Sequence, residues 1–138
     1  MRDAVIVAAA RTPIGRAYKG AFNATPGPSL GALSMAEAVR RAGIEGGEID
    51  DVVWGCVLTQ GGQALNIGRL AALRAGLPVT VAAQTVDRQC SSGLQAIAVA
   101  SRQVAYTQWL VLMPVTIRVS IPRLASMSCK FVPLKAEA

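Results

Sequence analysis

Apolar residues along the chain occur in short continuous runs that alternate with longer stretches of helical periodicity. The continuous runs predict three strands, the first of them covered on both faces, at residues 4–9, 52–58 and 81–86. Apolar stripes predict three helices, at residues 29–42, 66–75 and 94–104. Ser29 is expected to cap the first helix and Gly43 to close it, and Asn66 is expected to cap the second. This alternation favours an α/β fold with a mainly parallel sheet and right-handed crossovers.

The segment after residue 104 differs in composition from the rest of the chain. All 13 glycines precede residue 105, and three prolines interrupt the segment that follows. Within it, residues 109–112 are expected to pair as a strand. The break predicts an N-terminal domain at 1–104 and a divergent tail at 105–138. A shifted reading frame or a gene truncation is one explanation of the tail, and a divergent but folded segment is the other.

The charge pattern narrows the classes of partner. The net charge is +6, but basic residues do not form a run interleaved with aromatic residues, so nucleic-acid binding has little support. A modest positive balance suits an anionic ligand. No apolar stretch approaches the length of a transmembrane helix, and the initial apolar run is better interpreted as a strand than as a signal peptide.

The cysteines argue against a metal site. Cys56, Cys90 and Cys129 show no paired spacing, and the chain contains no histidine. Zinc sites and disulfide frameworks are therefore not expected, and a reduced, cytoplasmic location is the simplest interpretation. Cys56 lies inside a predicted strand and is expected to be a core residue.

Cys90 is the strongest candidate for chemistry because it lies at the turn from a predicted strand to a predicted helix. A helix N-terminus presents unpaired N–H groups and partial positive charge, which favour the nucleophilic thiolate. The small residues that follow, Ser91, Ser92 and Gly93, would let a substrate approach the backbone closely. A nucleophile and backbone donors to an oxyanion are thus available together. The simpler alternative is a cysteine that is only a small buried apolar residue.

Three stretches then resemble one family. The sequence Arg88-Gln89-Cys90-Ser91-Ser92-Gly93-Leu94-Gln95-Ala96 resembles the nucleophile motif of the thiolases. Residues 4–15 resemble the opening strand of that family and its Arg-Thr-Pro-Ile-Gly turn, and residues 62–78 resemble the segment before the nucleophile strand. Their order and spacing match across residues 1–104, which is far more specific than one motif.

The resemblance implies a layered thiolase-like N-terminal half and acyl transfer between coenzyme A thioesters through an acyl-cysteine intermediate. It makes Cys90 the nucleophile, with its backbone N–H as an oxyanion donor. It gives supporting positions to Arg88, Gln89, Ser91, Ser92 and Gly93. It implies no permanently bound cofactor and no metal, with acyl-CoA and coenzyme A as substrates. It also implies a homo-oligomer, since thiolases dimerise through this half.

Several departures from the family pattern accompany the resemblance. Asp87 stands where the family more commonly has asparagine, and a carboxylate that points at the sulfur would oppose thiolate formation. The chain has no histidine, which the family uses to activate the nucleophile. Neither Cys56 nor Cys129 lies in the motif of the family's second cysteine, which acts as acid and base. The chain is expected to be an incomplete thiolase whose catalysis is crippled or lost. The alternatives are a non-catalytic fragment that associates with an intact thiolase subunit, and a relative of the ketoacyl synthases. An uncovered sheet edge predicts self-association.

Overall fold

The computed structural model of the chain describes residues 3–107, 111–112 and 118–119. The strands in these ranges are β1 (Ala4–Val5), β2 (Asp51–Gly55), β3 (Ala82–Val86), β4 (Val111–Leu112) and β5 (Arg118–Val119). The helices are α1 (Gly27–Ala42), α2 (Ile67–Arg74) and α3 (Ser92–Tyr106). Two short 3₁₀ turns lie at Gly46–Glu48 and Gly61–Gln63.

Three of the strands form a parallel sheet in the order β3-β2-β4. Asp51 at the start of β2 lies opposite Ala82 on one side and Val111 on the other. The predicted α/β fold with a parallel sheet is therefore confirmed. The predicted strand at 109–112 is confirmed at Val111 and Leu112, and its first two positions lie outside the described residues.

Helices cover both faces of this sheet. Neighbouring residues of a strand point to opposite faces, so successive residues of β2 contact different helices. Val52 packs into a core with α1 and α2, whereas Val53 packs against α3. The first core contains Met35, Ala38, Ile49, Ala71, Ala72, Leu77, Val81 and Leu112. The second contains Ala96, Ala100, Val104 and Val111. The strands of the sheet are thus sandwiched between two helical layers, which places the loops that follow them at one exposed edge.

The prediction of a buried strand at residues 4–9 was wrong. Strand β1 is only two residues long, is exposed on both faces, and pairs in antiparallel orientation with β5. Ile6 is 56% exposed, and within this run only Ala8 is buried. An apolar run is buried on both faces only where its strand lies inside a covered sheet. Here β1 and β5 form a separate two-stranded sheet that is not part of β3-β2-β4.

The ends of the helices follow local sequence signals, with one correction. Helix α1 begins at Gly27, and the Pro26 carbonyl already accepts the Ser29 N–H at 2.9 Å. The expectation that Ser29 caps this helix was therefore wrong. Gly43 closes α1 in the left-handed conformation, with φ 64°, as predicted. Asn66 caps α2 as predicted, because its side-chain oxygen accepts the Arg69 N–H at 3.1 Å.

None of the helices in the described ranges has both the length and the apolar character needed to cross a bilayer.

Candidate functional site

Cys90 lies in the turn that joins β3 to α3, at the carboxyl edge of the parallel sheet. Ligands of such sheets bind beyond the carboxyl ends of the strands. The prediction that Cys90 lies at the turn from strand to helix is confirmed. In the structure Cys90 precedes the N-cap residue Ser91, and α3 begins at Ser92. The Cys90 side chain is exposed, so a nucleophile at this position is accessible from solvent.

The turn that carries Cys90 is held by hydrogen bonds among six residues, Asp87 to Ser92. The Ser91 N–H donates to the Arg88 carbonyl, and the Ser92 N–H donates to the Gln89 carbonyl, each at 3.0 Å. The Asp87 carboxylate accepts the Gln89 N–H at 2.8 Å. Gln89 adopts a left-handed conformation, with φ 49°. That conformation costs a non-glycine residue about 1 to 2 kcal/mol, so these hydrogen bonds hold the backbone in an unfavourable region.

Ser92 is the buried centre of this turn. Ser92 is only 4% exposed, although the residues on either side of it are exposed. The Ser92 hydroxyl accepts the Arg88 N–H at 2.9 Å and lies 2.7 Å from the Gln89 carbonyl oxygen, to which it donates. It also lies 3.5 Å from the Asp87 carboxylate. The sequence assigned Ser92 only a supporting position, and the structure shows it joined to both residues that precede Cys90.

Three other motif residues, Arg88, Ser91 and Gly93, lie around this centre. Arg88 directs its guanidinium along α3, donating to the Gln95 side-chain oxygen at 2.6 Å. Ser91 caps α3 by position, but its side chain accepts no capping hydrogen bond. A Cβ atom on Gly93 would meet nothing within 4 Å. The surface beside Gly93 is therefore open, and the prediction that a substrate approaches the backbone here stays a prediction.

Gly55 is a site residue that the sequence analysis missed. It ends β2, next to β3, and a Cβ atom there would lie 2.6 Å from the Ser92 carbonyl carbon and 2.7 Å from the Gly93 nitrogen. Real Cβ atoms do not approach the backbone so closely, so only glycine allows the first turn of α3 to sit on β2. A glycine inside an apolar strand is the signal that could have identified it, since such glycines often mark close backbone approach.

Strand β3 is fixed to α2 by a small polar network. The Asn66 amide donates to the Ala83 carbonyl at 2.8 Å, and the Thr85 hydroxyl donates to the Asn66 side-chain oxygen at 2.7 Å. The same hydroxyl accepts the Gly68 N–H at 3.1 Å. Arg69 adds hydrogen bonds to the carbonyls that precede β3. The strand that leads to Cys90 is therefore anchored along its length.

The second described cysteine does not belong to the turn. Cys56 is buried, as predicted, and its thiol lies 3.6 Å from the Leu58 carbonyl and 3.6 Å from the Gln63 side-chain oxygen. Cys129 lies outside the described residues. Across the described part of the chain, no three side chains of the His, Cys, Asp and Glu types come together in a way that could hold a metal ion.

Comparison with known proteins defines the class to which this fold and turn belong. The sequence model of the family described as "Thiolase, N-terminal domain" matches residues 4–115, a range that includes β4. The chain therefore belongs to the thiolase family, and its sequence corresponds to the N-terminal segment of a thiolase.

Individual relatives agree with this assignment. The chain is 47% identical over 104 residues to a 3-ketoacyl-CoA thiolase of Bacillus subtilis (strain 168), covering 75% of this chain and 27% of the relative. It is 41% identical over 103 residues to an acetyl-CoA acetyltransferase of Syntrophomonas wolfei, covering 75% and 26%. The crystal structure of the Bacillus anthracis acetyl-CoA acetyltransferase superposes with a TM-score of 0.70 at 43% identity, covering 75% and 26%.

The chain thus spans about a quarter of the length of the relatives it matches. Their names support the thiolase interpretation over the ketoacyl synthase alternative.

Proposed function

We propose that the chain carries the nucleophile half of a thiolase-type acyl transfer, with Cys90 as the residue that accepts the acyl group. The observation that supports this most directly is the exposed Cys90 in a strained, hydrogen-bonded turn at the carboxyl edge of the sheet. The membership of the chain in the thiolase family gives that turn a chemical context. Acyl-CoA thioesters are the proposed substrates, and the cytoplasm, where thiols stay reduced, is the proposed location.

The proposed step forms a thioester and breaks one. The Cys90 thiolate adds to the carbonyl carbon of an acyl-CoA, and the carbonyl electron pair moves to the oxygen. The backbone N–H of Cys90 donates to that oxyanion. When the oxyanion collapses, the carbon–sulfur bond to coenzyme A breaks, and the departing coenzyme A thiolate takes a proton from water. The products are an acetylated Cys90, for an acetyl-CoA substrate, and free coenzyme A.

We propose that this chain performs the half-reaction and does not turn over efficiently. The resemblance assigns activation of the nucleophile to a histidine and acid and base catalysis to a second cysteine, and the 138-residue sequence contains no histidine. General acid–base catalysis contributes about 10²- to 10⁴-fold in enzymes that use it. The absence of the histidine therefore slows acylation. The absence of the second cysteine slows transfer of the acyl group away from Cys90, so the group remains there long enough to detect.

Intact-mass analysis after incubation with acetyl-CoA tests this function. We expect a mass increase of one acetyl group that disappears in Cys90→Ala and persists in Cys56→Ala, because Cys56 is buried. Hydroxylamine, which cleaves thioesters, should remove the added mass. Wild-type protein that stays unmodified, or that is acetylated equally in Cys90→Ala, contradicts the proposal.

A second candidate function is association with an intact thiolase subunit, without chemistry. The observation that favours it is exposed apolar surface in the described residues, in particular Val5 in β1, Ile6 directly after it and Leu94 on α3. Light scattering of the chain alone and of its mixture with the Bacillus subtilis relative distinguishes the outcomes. Mixed complexes without Cys90 acetylation support this alternative, whereas a chain that stays monomeric alone and does not join the relative in the mixture contradicts it.

A further inference from the structure

We propose that Ser92 is a positioning residue: its hydroxyl orients the peptide unit whose N–H belongs to Cys90, so that this N–H points at the oxyanion. The inference rests on the proposed function of Cys90 and specifies how the turn serves it. Ser92 does not touch the substrate in this mechanism. It acts through the backbone of the two residues that precede the nucleophile.

The geometry follows from one shared peptide plane. The carbonyl of Gln89 and the N–H of Cys90 belong to the same peptide unit, which is trans, since no cis peptide bond occurs among the residues that the structure describes. In a planar trans peptide the C=O and N–H bonds point in opposite directions. The Gln89 oxygen is bound twice by Ser92, by its hydroxyl at 2.7 Å and by its N–H at 3.0 Å. The Cys90 N–H is therefore held pointing away from Ser92.

The turn needs this restraint because Gln89 is strained. Its φ of 49° lies in a region that side chains disfavour, so release of the plane would let the backbone relax toward a negative φ. The Ser92 hydroxyl also accepts the Arg88 N–H at 2.9 Å. One hydroxyl thus holds the backbone on both sides of the strained residue.

Ser92 itself is well fixed. It is buried, and its carbonyl carbon lies against Gly55, so the start of α3 has no room to shift toward β2. A hydroxyl in such a place can hold a peptide plane accurately. Accuracy matters because an oxyanion donor works only when it is aimed in advance at the place where charge develops.

The test compares two reactions of the same thiol in wild type, Ser92→Ala and Ser101→Ala. Acylation by acetyl-CoA creates an oxyanion and needs the donor. Alkylation by iodoacetamide displaces iodide at a saturated carbon and creates none. Ser101 is the matched control, because it also lies in α3 and its hydroxyl also donates to a carbonyl three residues earlier, at 3.0 Å. Both rates are followed by mass spectrometry on the full chain, with circular dichroism to confirm folding.

We expect Ser92→Ala to slow acylation at saturating acetyl-CoA by about 10- to 100-fold, since loss of a whole oxyanion donor costs about 10²- to 10³-fold. Its half-saturating acetyl-CoA concentration and its alkylation rate should stay within about threefold of wild type, and Ser101→Ala should match wild type in both reactions. Equal loss of acylation and alkylation in Ser92→Ala overturns the proposal, as does unchanged acylation.

Amide hydrogen exchange separates this inference from the proposed function. The Arg88 N–H donates to the Ser92 hydroxyl, so its exchange should accelerate about tenfold or more in Ser92→Ala and not in Ser101→Ala. If wild-type protein is alkylated but never acylated, the proposed function fails and the oxyanion role of Ser92 fails with it. Accelerated Arg88 exchange in that case leaves Ser92 as a structural holder of the turn only, whereas unchanged exchange shows that the hydroxyl does not restrain the turn at all.

Discussion

Gly55 and Ser92 are in such close contact that a Cβ atom on Gly55 would lie 2.6 Å from both the carbonyl carbon and the carbonyl oxygen of Ser92. The contact joins the end of β2 to the first turn of α3. The turn that carries Cys90 is therefore located by the neighbouring strand as well as by its own strand, β3.

Gly55→Ala should destabilise the protein by about 1 to 3 kcal/mol, because the new methyl group must push the start of α3 off the sheet. Gly62→Ala is the matched control, since a Cβ atom there meets nothing within 4 Å. It should leave stability unchanged or raise it by about 0.4 to 1 kcal/mol. Urea unfolding measures both variants, and equal midpoints would show that the close contact is not a constraint.

The network between Asn66 and Thr85 should behave as one unit. Each of Asn66→Ala and Thr85→Val removes the hydrogen bond at 2.7 Å between them, and each should cost about 1 to 2 kcal/mol. Because both changes remove the same hydrogen bond, the double variant should cost less than the sum of the singles by about 0.5 kcal/mol or more. A double-mutant cycle in urea tests this, and strict additivity would contradict the coupling.

Leu112 tests whether the segment after residue 104 belongs to the folded core. Leu112 is 2% exposed and belongs to the core that Val52 forms with α1 and α2, so Leu112→Ala should cost about 2 to 5 kcal/mol. The control is Leu33→Ala on α1, where Leu33 is 63% exposed and the change should stay within about 0.5 kcal/mol. We propose on this basis that β4 is part of the domain. Equal stabilities of the two variants would show that β4 contributes nothing to the folded core.

Glu37 gives the chain an acid-dependent contact on α1. Hydrogen bonds from Arg40 and then Arg41 lower the pKa of the Glu37 carboxyl from 4.5 to about 2. Because the folded-state pKa is depressed, the stabilisation is present above pH 4.5 and is lost as the pH falls from 4.5 toward 2. Glu37→Gln should therefore lose less melting temperature than wild type across this window. The difference should be small and should shrink in high salt, because the pair is exposed.

Parallel thermal melts between pH 2 and pH 6 at low and high salt measure this effect. Identical pH profiles for wild type and Glu37→Gln would show that the ion pairs contribute nothing to folding.

Sequence periodicity predicted the covered part of the fold well because burial and periodicity have the same cause there. Side chains of β2 point alternately to the layer that contains α1 and α2 and to the layer that contains α3. The apolar stripe of α1 packs against the first of these two faces of the sheet. The same reasoning failed for residues 4–9, where Ile6 is exposed. An apolar run shows only that a segment can be buried. Whether it is buried depends on its place in the order of strands, which distant residues decide.

The candidate site was predictable in position and not in construction. The placement of Cys90 between strand and helix follows from local patterns. The left-handed conformation of Gln89 and the burial of Ser92 depend on how α3 packs against β2, which local patterns do not reveal. Asp87 illustrates the limit. Its departure from the usual asparagine suggested an electrostatic effect on the thiol, yet its carboxylate accepts the Gln89 N–H, a contact that an asparagine side-chain oxygen could equally make.

The pairing of β4 with β2 has a consequence for the order in which the chain folds. Asp51 and Val111 are neighbours in the sheet, although 60 positions separate them in sequence. Contacts of such long range form slowly, because the entropy of closing the loop must be lost before the contact stabilises anything. The α1–β2–α2–β3 segment, whose contacts are more local, can assemble first, and the last strand closes over Val52 afterwards. During synthesis, β2 therefore stays an open edge until the ribosome has released Leu112, and this interval is when a chaperone or another unfinished chain can pair with it.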